Sequence, residues 1–186
     1  LREIKTEKVC AQVNELVNLA HSEEINEVLL WDHSLYDIDY YPERFRTGPG
    51  GTIDLDNTEF WEWLKDDYRQ MLGLVLTFIE TGAYAERQFS KKMKSSEEKL
   101  AAVVNAISDV LIGERKKKLY IRTFAYSEEE YKGTTGCIEY LKYDEVILMM
   151  KETPHDFFLT HPDNYYIQKM DRPVIVEFDL GNEYSG

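Results

Sequence analysis

Residues 144–156 read DEVILMMKETPHD, an apolar run that passes directly into a cluster of polar and charged side chains. Residues 173–184, PVIVEFDLGNEY, repeat this pattern. A continuous run of apolar β-formers is typical of a strand buried on both faces, as in parallel sheets covered by helices. In parallel α/β folds, the carboxyl ends of the strands and the loops that follow them build the ligand site. The two stretches therefore predict buried parallel strands that lead into a site.

The composition predicts one folded domain and argues against several classes of partner. The 186 residues are 43% hydrophobic, enough for a sizeable core, and the formal net charge is -13. Nucleic acids and anionic membrane surfaces are bound by Lys and Arg, so the acidic balance disfavours both. No stretch approaches the ~20 apolar residues of a membrane span. Cys10 and Cys137 are too few for a disulfide framework and lack metal-ligand spacing, so we expect two buried or half-buried thiols. We also expect no metal and no other cofactor.

Hydrophobic periodicity predicts helices and strands in alternation. We expect helices at 3–21, 56–71 and 95–112, strands at 28–31, 74–79, 119–126, 144–150 and 173–176, and a partly helical segment at 128–143. Side-chain caps support two of the helix starts, with an N-cap in the Asp56 to Glu59 stretch and a capping box opened by Ser95. This order predicts a parallel sheet flanked by helices.

Such a sheet is either open and doubly wound or part of an eight-stranded barrel. No glycine-rich phosphate loop follows any strand. Polar residues follow every strand, whereas a doubly wound sheet would gather them at one crevice. Both observations favour the barrel. The predicted fold class is α/β, an incomplete parallel (β/α) TIM-type barrel with about five of eight strands, and residues 1–186 form a single segment of it. A closed barrel typically needs about 250 residues. We therefore expect the chain to belong to a larger enzyme or to associate through open sheet edges, which leaves a homo-oligomer open.

The polar residues that follow the predicted strands are rich in carboxylates. They are Asp32, His33, Glu80, Arg122, Lys151, Asp156, Glu177, Asp179 and Glu183. Hydrolysis of a glycosidic bond uses one carboxylic acid to protonate the leaving oxygen and a second carboxylate to activate water or attack the anomeric carbon. The set has no Ser or Cys nucleophile partnered by a His, so it fits acyl transfer poorly. It predicts a glycoside hydrolase that acts on an oligosaccharide or polysaccharide.

Three blocks of the sequence resemble one known family. They are 119–126 (LYIRTFAY), 144–157 (DEVILMMKETPHDF) and 176–186 (VEFDLGNEYSG). In order, spacing and residue types they resemble the catalytic barrel of the family 67 glycoside hydrolases, the α-glucuronidases. The strand at 75–80 also lies where that family places its general acid. The resemblance covers about two-thirds of the chain.

The resemblance implies specific catalytic and binding roles. Glu80 matches the general acid, and Asp156 and Glu183 match the two carboxylates that activate water in an inverting mechanism. Arg122 and Lys151 match cations that hold the carboxylate of a uronic acid. These assignments imply a terminal sugar, such as a uronic acid, removed from a complex glycan.

The chain also departs from that family. Leu76 stands where the family has a lysine four residues before its general acid, so one cation that would hold a uronic acid is missing. Thr153 replaces a glycine in the turn that leads to Asp156, and His155 stands just before that Asp. These differences leave the barrel in place but make an altered sugar preference a reasonable expectation.

The loop after the first strand allows two interpretations. Trp31, Asp32, His33 and Tyr36 are predicted to bind substrate, with Tyr40 and Tyr41 offering further rings, because sugars have flat apolar faces and polar edges. The alternative is that these aromatic residues pack the loop onto the barrel. A metal site built from Asp32, His33, Asp37 and Asp39 is disfavoured because nothing in the sequence sets its geometry.

Structural roles stay open for the other candidates. Glu80 would cap a turn at a strand end, Asp156 would form an Asx turn, and Lys151 would serve as a counter-ion. Arg122 lies in a strand predicted to be buried, so we expect it to pair with Glu80, Asp156 or a substrate. The rival functional hypothesis is a carbohydrate-binding barrel that has a cleft but no catalytic activity.

Overall fold

A computed structural model describes residues 7–32, 35, 37–69, 73–77, 86–123, 128–153 and 162–178. Its strands are β1 (Leu29–Asp32), β2 (Ile53–Asp54), β3 (Gly73–Thr77), β4 (Gln88–Phe89), β5 (Leu119–Arg122), β6 (Ile147–Lys151) and β7 (Val174–Glu177). Its helices are α1 (Glu7–Ser22), α2 (Thr58–Tyr68), α3 (Ser96–Ser108) and α4 (Glu128–Gly136), and a π-helical turn, Asp109–Glu114, continues α3. The predicted α/β class is confirmed.

Five of the strands form one parallel sheet whose spatial order, β1-β3-β5-β6-β7, follows the chain. The prediction of parallel strands in alternation with helices is therefore confirmed. A doubly wound sheet reverses its strand order at one point, and the five described strands contain no such reversal. Within the described ranges, β1 and β7 form the two edges of this sheet.

The main core lies on one face of the sheet. Side chains alternate between the two faces of a strand, and Leu119, Ile121, Leu148 and Met150 are all buried in one apolar cluster with residues of α2 and α3. Parallel crossovers are almost always right-handed, which places the helices of a sheet ordered along the chain on a single side. The opposite face carries Trp31, Arg122, Ile175 and Glu177, and Ile175 is 42% exposed.

Local capping explains where the helices of the core begin. The Asn57 side chain accepts a hydrogen bond from the backbone N–H of Glu59 at the start of α2. Ser95 and Glu98 form a reciprocal capping box at the start of α3, so both predicted caps are confirmed. α2 ends at Tyr68, which is earlier than predicted, and residues 70–72, just before β3, lie outside the described ranges.

A second, two-stranded parallel sheet was not predicted. β2 pairs with β4, and the backbone N–H groups of Ile53 and Leu55 donate to the carbonyls of Arg87 and Phe89 at 2.8 and 2.9 Å. Each strand has only two residues, which is too short for an alternating pattern to be visible. This small sheet ties the connection after β1 to the connection after β3.

Asp109 links three parts of the helical layer, and its loss should change the pH dependence of stability. Its carboxylate accepts hydrogen bonds from Lys142 Nζ (2.6 Å), Lys65 Nζ (3.0 Å) and Tyr143 Oη (3.0 Å). Burial raises the pKa of Asp109, but these three donors outweigh burial and leave its pKa below the usual value. The contribution is therefore complete above the unfolded pKa of about 3.9 and is lost as the pH falls through the lower folded value.

We expect Asp109→Asn to lower the free energy of unfolding by about 2 kcal/mol at pH 7, the scale of hydrogen bonds to a charged group. The loss should shrink as the pH falls below about 4, because the wild-type carboxyl then becomes protonated. Urea unfolding at pH 7 and pH 3 measures both values. Asp144→Asn is the control, since the Asp144 side chain is 99% exposed. A loss at pH 3 as large as at pH 7 would show that the charge of Asp109 contributes nothing.

Candidate functional site

Polar and aromatic side chains gather where the parallel strands of the five-stranded sheet end. β1 ends with Trp31 and Asp32, β5 with Arg122, β6 with Lys151 and β7 with Glu177. Because the strands are parallel, their carboxyl ends lie along one edge of the sheet. This edge is where the sequence placed the candidate site.

Arg122 and Glu177 form a bidentate ion pair at this edge. Arg122 Nε donates to Glu177 Oε2 at 2.7 Å, and Nη2 donates to Oε1. The two side chains are only 12% and 21% exposed. Arg122 lies opposite Met149 of β6, which in turn lies opposite Ile175 of β7, so the ion pair spans β6. The expectation that Arg122 pairs with a carboxylate is confirmed, and Glu177 is a partner that sequence reasoning did not select.

Trp31 lies beside this pair. The Arg122 guanidinium carbon is 5.1 Å from the centroid of the Trp31 ring, which is a cation–π contact. The Trp31 side chain is 45% exposed, so part of its ring remains open. A guanidinium held between an aromatic ring and a carboxylate has little rotational freedom. The contact therefore fixes Arg122 at the site and presents an aromatic surface next to it.

Lys151 is buried at the end of β6, opposite Glu177 in the register. The side chain of Asn164 donates to the Lys151 carbonyl at 3.0 Å and to Tyr131 Oη at 3.0 Å. Asn164 and Tyr131 are both buried, so this network fixes the backbone of the strand end. Neither residue was a candidate. No sequence pattern shows that a single Asn donates a hydrogen bond to the backbone of a strand 13 residues earlier, or that a Tyr contacts that Asn.

Asp32 does not join Arg122. Strand alternation places the Asp32 side chain on the face opposite Trp31, where it is buried and accepts a hydrogen bond from Tyr68 Oη at 2.6 Å. Burial and the Asp32 charge raise the pKa of Tyr68 well above its usual value, so this phenol remains a donor. The contact joins the end of β1 to the end of α2 and gives Asp32 a structural role.

The aromatic residues of the connection after β1 divide between the two interpretations. Tyr41 is buried, donates from its hydroxyl to the Leu35 carbonyl at 2.9 Å, and packs against Phe60 and Trp63. It is therefore a packing residue, as the alternative interpretation stated. Trp31 is the candidate whose ring lies against Arg122.

The disfavoured metal site gains no support from the structure. Asp37 caps a 3-10 turn by accepting from the Asp39 N–H at 2.9 Å, and Asp39 pairs with Arg46 at 2.9 Å. Over the residues that the structure describes, no group of three or more His, Cys, Asp or Glu side chains is placed to hold a metal ion.

Five of the predicted site residues lie outside the described ranges. They are His33, Tyr36, Glu80, Asp156 and Glu183, and the strand-end carboxylate Asp179 lies outside them as well. The roles assigned to these residues therefore remain predictions.

Comparisons of the chain with protein families, with curated proteins and with solved structures found no match. Among the described helices, none is long and apolar enough to cross a membrane.

The ion pair can be tested by a double-mutant cycle. Removing one partner of a partly buried pair takes from the other its bidentate charged contact, so Arg122→Met and Glu177→Leu should each lower the free energy of unfolding by about 2 kcal/mol. The double variant removes both charges of the pair, and we expect its loss to fall at least ~1 kcal/mol short of the sum of the two single losses. Urea unfolding of the four proteins measures the difference. Additive losses would show that the two side chains do not stabilise each other.

Proposed function

We propose that this chain belongs to the catalytic (β/α) barrel of a glycoside hydrolase that removes a terminal sugar from a complex glycan. The observation that carries the proposal is the Arg122–Glu177 pair beside the partly exposed Trp31 at the carboxyl edge of the sheet. An aromatic ring next to charged hydrogen-bonding groups complements a sugar, which has flat C–H faces and hydroxyl edges. This edge is also the end of the strands at which (β/α) barrels carry their active sites.

The strand order supports a barrel wall. Parallel strands that follow one another in chain order, with the helical core on one face, are the arrangement found in each part of a (β/α) barrel. In a closed barrel, the face that carries Trp31, Arg122, Ile175 and Glu177 would turn toward the interior. Closure would need about three further strands, since such barrels have eight.

The proposed chemistry assigns one role to each candidate carboxylate. Glu80 follows β3 by three residues and would protonate the departing glycosidic oxygen. Asp156 and Glu183 follow β6 and β7 by five and six residues, and they would activate the attacking water. An inverting mechanism needs the acid and the base to be about 6.5–9.5 Å apart, a gap that a water molecule fills. Separate strand ends across one barrel mouth would supply that gap.

The residues at the described strand ends would bind and orient the sugar. Arg122 would donate from a guanidinium already fixed by Glu177 and Trp31, and Lys151 would add a second cation at the end of the neighbouring strand. Trp31 would stack on the apolar face of the ring. These roles need no metal or other cofactor.

A carbohydrate-binding barrel without catalysis is the second candidate. The mutual pairing of Arg122 and Glu177 favours it, because an ion pair of this kind can bind sugar hydroxyls without taking part in proton transfer. The two candidates differ in turnover alone, so one experiment separates them.

That experiment is a hydrolysis screen of the intact protein against aryl glycosides and natural oligosaccharides, including xylo-oligosaccharides capped with uronic acid. Glycan binding is measured in parallel. Release of a sugar would support the hydrolase and define its substrate class. Binding without release would favour the binding barrel. If the protein neither binds a glycan nor releases a sugar, both proposals are refuted.

A further inference from the structure

The charge balance at the described strand ends bears on which sugar the site accepts. The Arg122 guanidinium lies over the Trp31 ring, and its Nε and Nη2 groups both donate to the Glu177 carboxylate. An ion pair of opposite unit charges has no net charge. The guanidinium can therefore donate hydrogen bonds at this point, while Glu177 balances its positive charge.

A carboxylate on the ligand would meet Glu177 at close range. Any anionic group that approached Arg122 would lie beside a carboxylate that already holds the same guanidinium, and like charges a few ångströms apart repel. The pair is mostly buried, so solvent and salt screen this repulsion less than they would at an open surface. A hydroxyl meets no such penalty, because it can accept from the guanidinium and donate to the carboxylate.

Lys151 does not remove this effect. It is the register neighbour of Glu177 and is buried at the same edge, so the described charges are Arg122, Lys151 and Glu177. Glu177 lowers their sum from two positive charges to one. Among these three groups, Glu177 is therefore the residue that sets how strongly the edge attracts an anion.

We propose that Glu177 is a specificity-determining residue that weakens the binding of a uronic acid relative to an uncharged sugar. The inference rests on the proposed function, because it concerns the sugar bound at that same edge. Glu177 acts through Arg122, so it is a positioning and charge-balancing residue and takes no part in proton transfer.

The test compares two probes that differ in a single group. Methyl α-D-glucopyranoside carries a CH₂OH where methyl α-D-glucopyranosiduronate carries a carboxylate. Calorimetric titration of the intact protein gives the ratio of the two dissociation constants. The wild-type ratio is the reference against which the variants are compared. Glu177→Gln should shift the ratio toward the glucuronide by about tenfold or more, because the repelling charge is gone and the side-chain shape is kept.

Two further variants separate charge from structure. Glu177→Asp keeps the charge and should keep the wild-type ratio, even where shortening weakens binding of both probes. Glu114→Gln disrupts the same kind of bidentate pair in the helical layer, where Arg69 Nε and Nη2 donate to Glu114 at 2.9 and 3.0 Å. It should leave the ratio unchanged. The shift in Glu177→Gln should also shrink at high salt.

The outcomes distinguish this inference from the function on which it rests. A ratio that stays constant in Glu177→Gln, or that shifts toward the glucoside, would overturn the inference and leave sugar binding established. If neither probe binds to any of the proteins and the screen releases no sugar, the proposed function and the inference both fail.

Discussion

Glu80→Gln is expected to lower the rate of sugar release by about 10²–10⁴-fold, which is the usual contribution of a general acid. Glutamine has nearly the same shape as glutamic acid but cannot donate the proton that the departing oxygen needs. Steady-state kinetics on the natural oligosaccharide found by the screen measure the loss. Glu86→Gln is the matched control, because Glu86 is an exposed carboxylate in the same connection between β3 and α3, and its rate should stay within about twofold of wild type.

The leaving group provides a second measurement that a purely structural defect would not reproduce. A dinitrophenyl glycoside has a leaving group, dinitrophenolate, that departs without protonation. Glu80→Gln should therefore slow its cleavage far less than cleavage of the natural oligosaccharide. Equal losses on both substrates would contradict the role of Glu80 as the acid. Wild-type rates on both substrates would remove Glu80 from the mechanism altogether.

Sequence patterns were sufficient to predict the five strands of the larger sheet, because each is a short apolar run followed by polar residues. β6 and β7 begin and end within three residues of the predicted positions. The pairing of Arg122 with a carboxylate was also predictable, because burying a guanidinium without a carboxylate partner costs a large free energy. The identity of that carboxylate was not, because Glu177 lies 55 residues away and only the register of β5, β6 and β7 brings the two side chains together.

Other features had no local signal. Asp32 looked like a site residue because it follows an apolar run, but strand alternation turned it toward Tyr68 instead of Arg122. One residue of register separates these two outcomes, and strand limits predicted from sequence are not that exact. The Asn164 contact with Lys151 depends equally on tertiary placement, since its partners come from β6 and α4.

The unequal burial of the two sheet faces leads to the largest expected change in stability. Ile121 of β5 is fully buried in the core that the sheet forms with the helices, whereas Ile175 of β7 lies on the other face and is 42% exposed. Removing buried methylene groups costs their transfer free energy and leaves a cavity. Truncating an exposed side chain costs little transfer free energy and leaves no cavity. We therefore expect Ile121→Ala to lower the free energy of unfolding by about 3–4 kcal/mol and Ile175→Ala by less than about 1 kcal/mol.

Urea unfolding followed by circular dichroism measures both values, and the pair also tests the proposed barrel. The small loss at Ile175 applies to the 186-residue chain, in which the Ile175 side chain is partly open to solvent. If further strands close the barrel in a larger polypeptide, Ile175 would turn toward a packed interior, and its loss there should rise toward that of Ile121. A large loss at Ile175 in the 186-residue chain would instead show that this face is already covered, either by association between copies or by residues outside the described ranges.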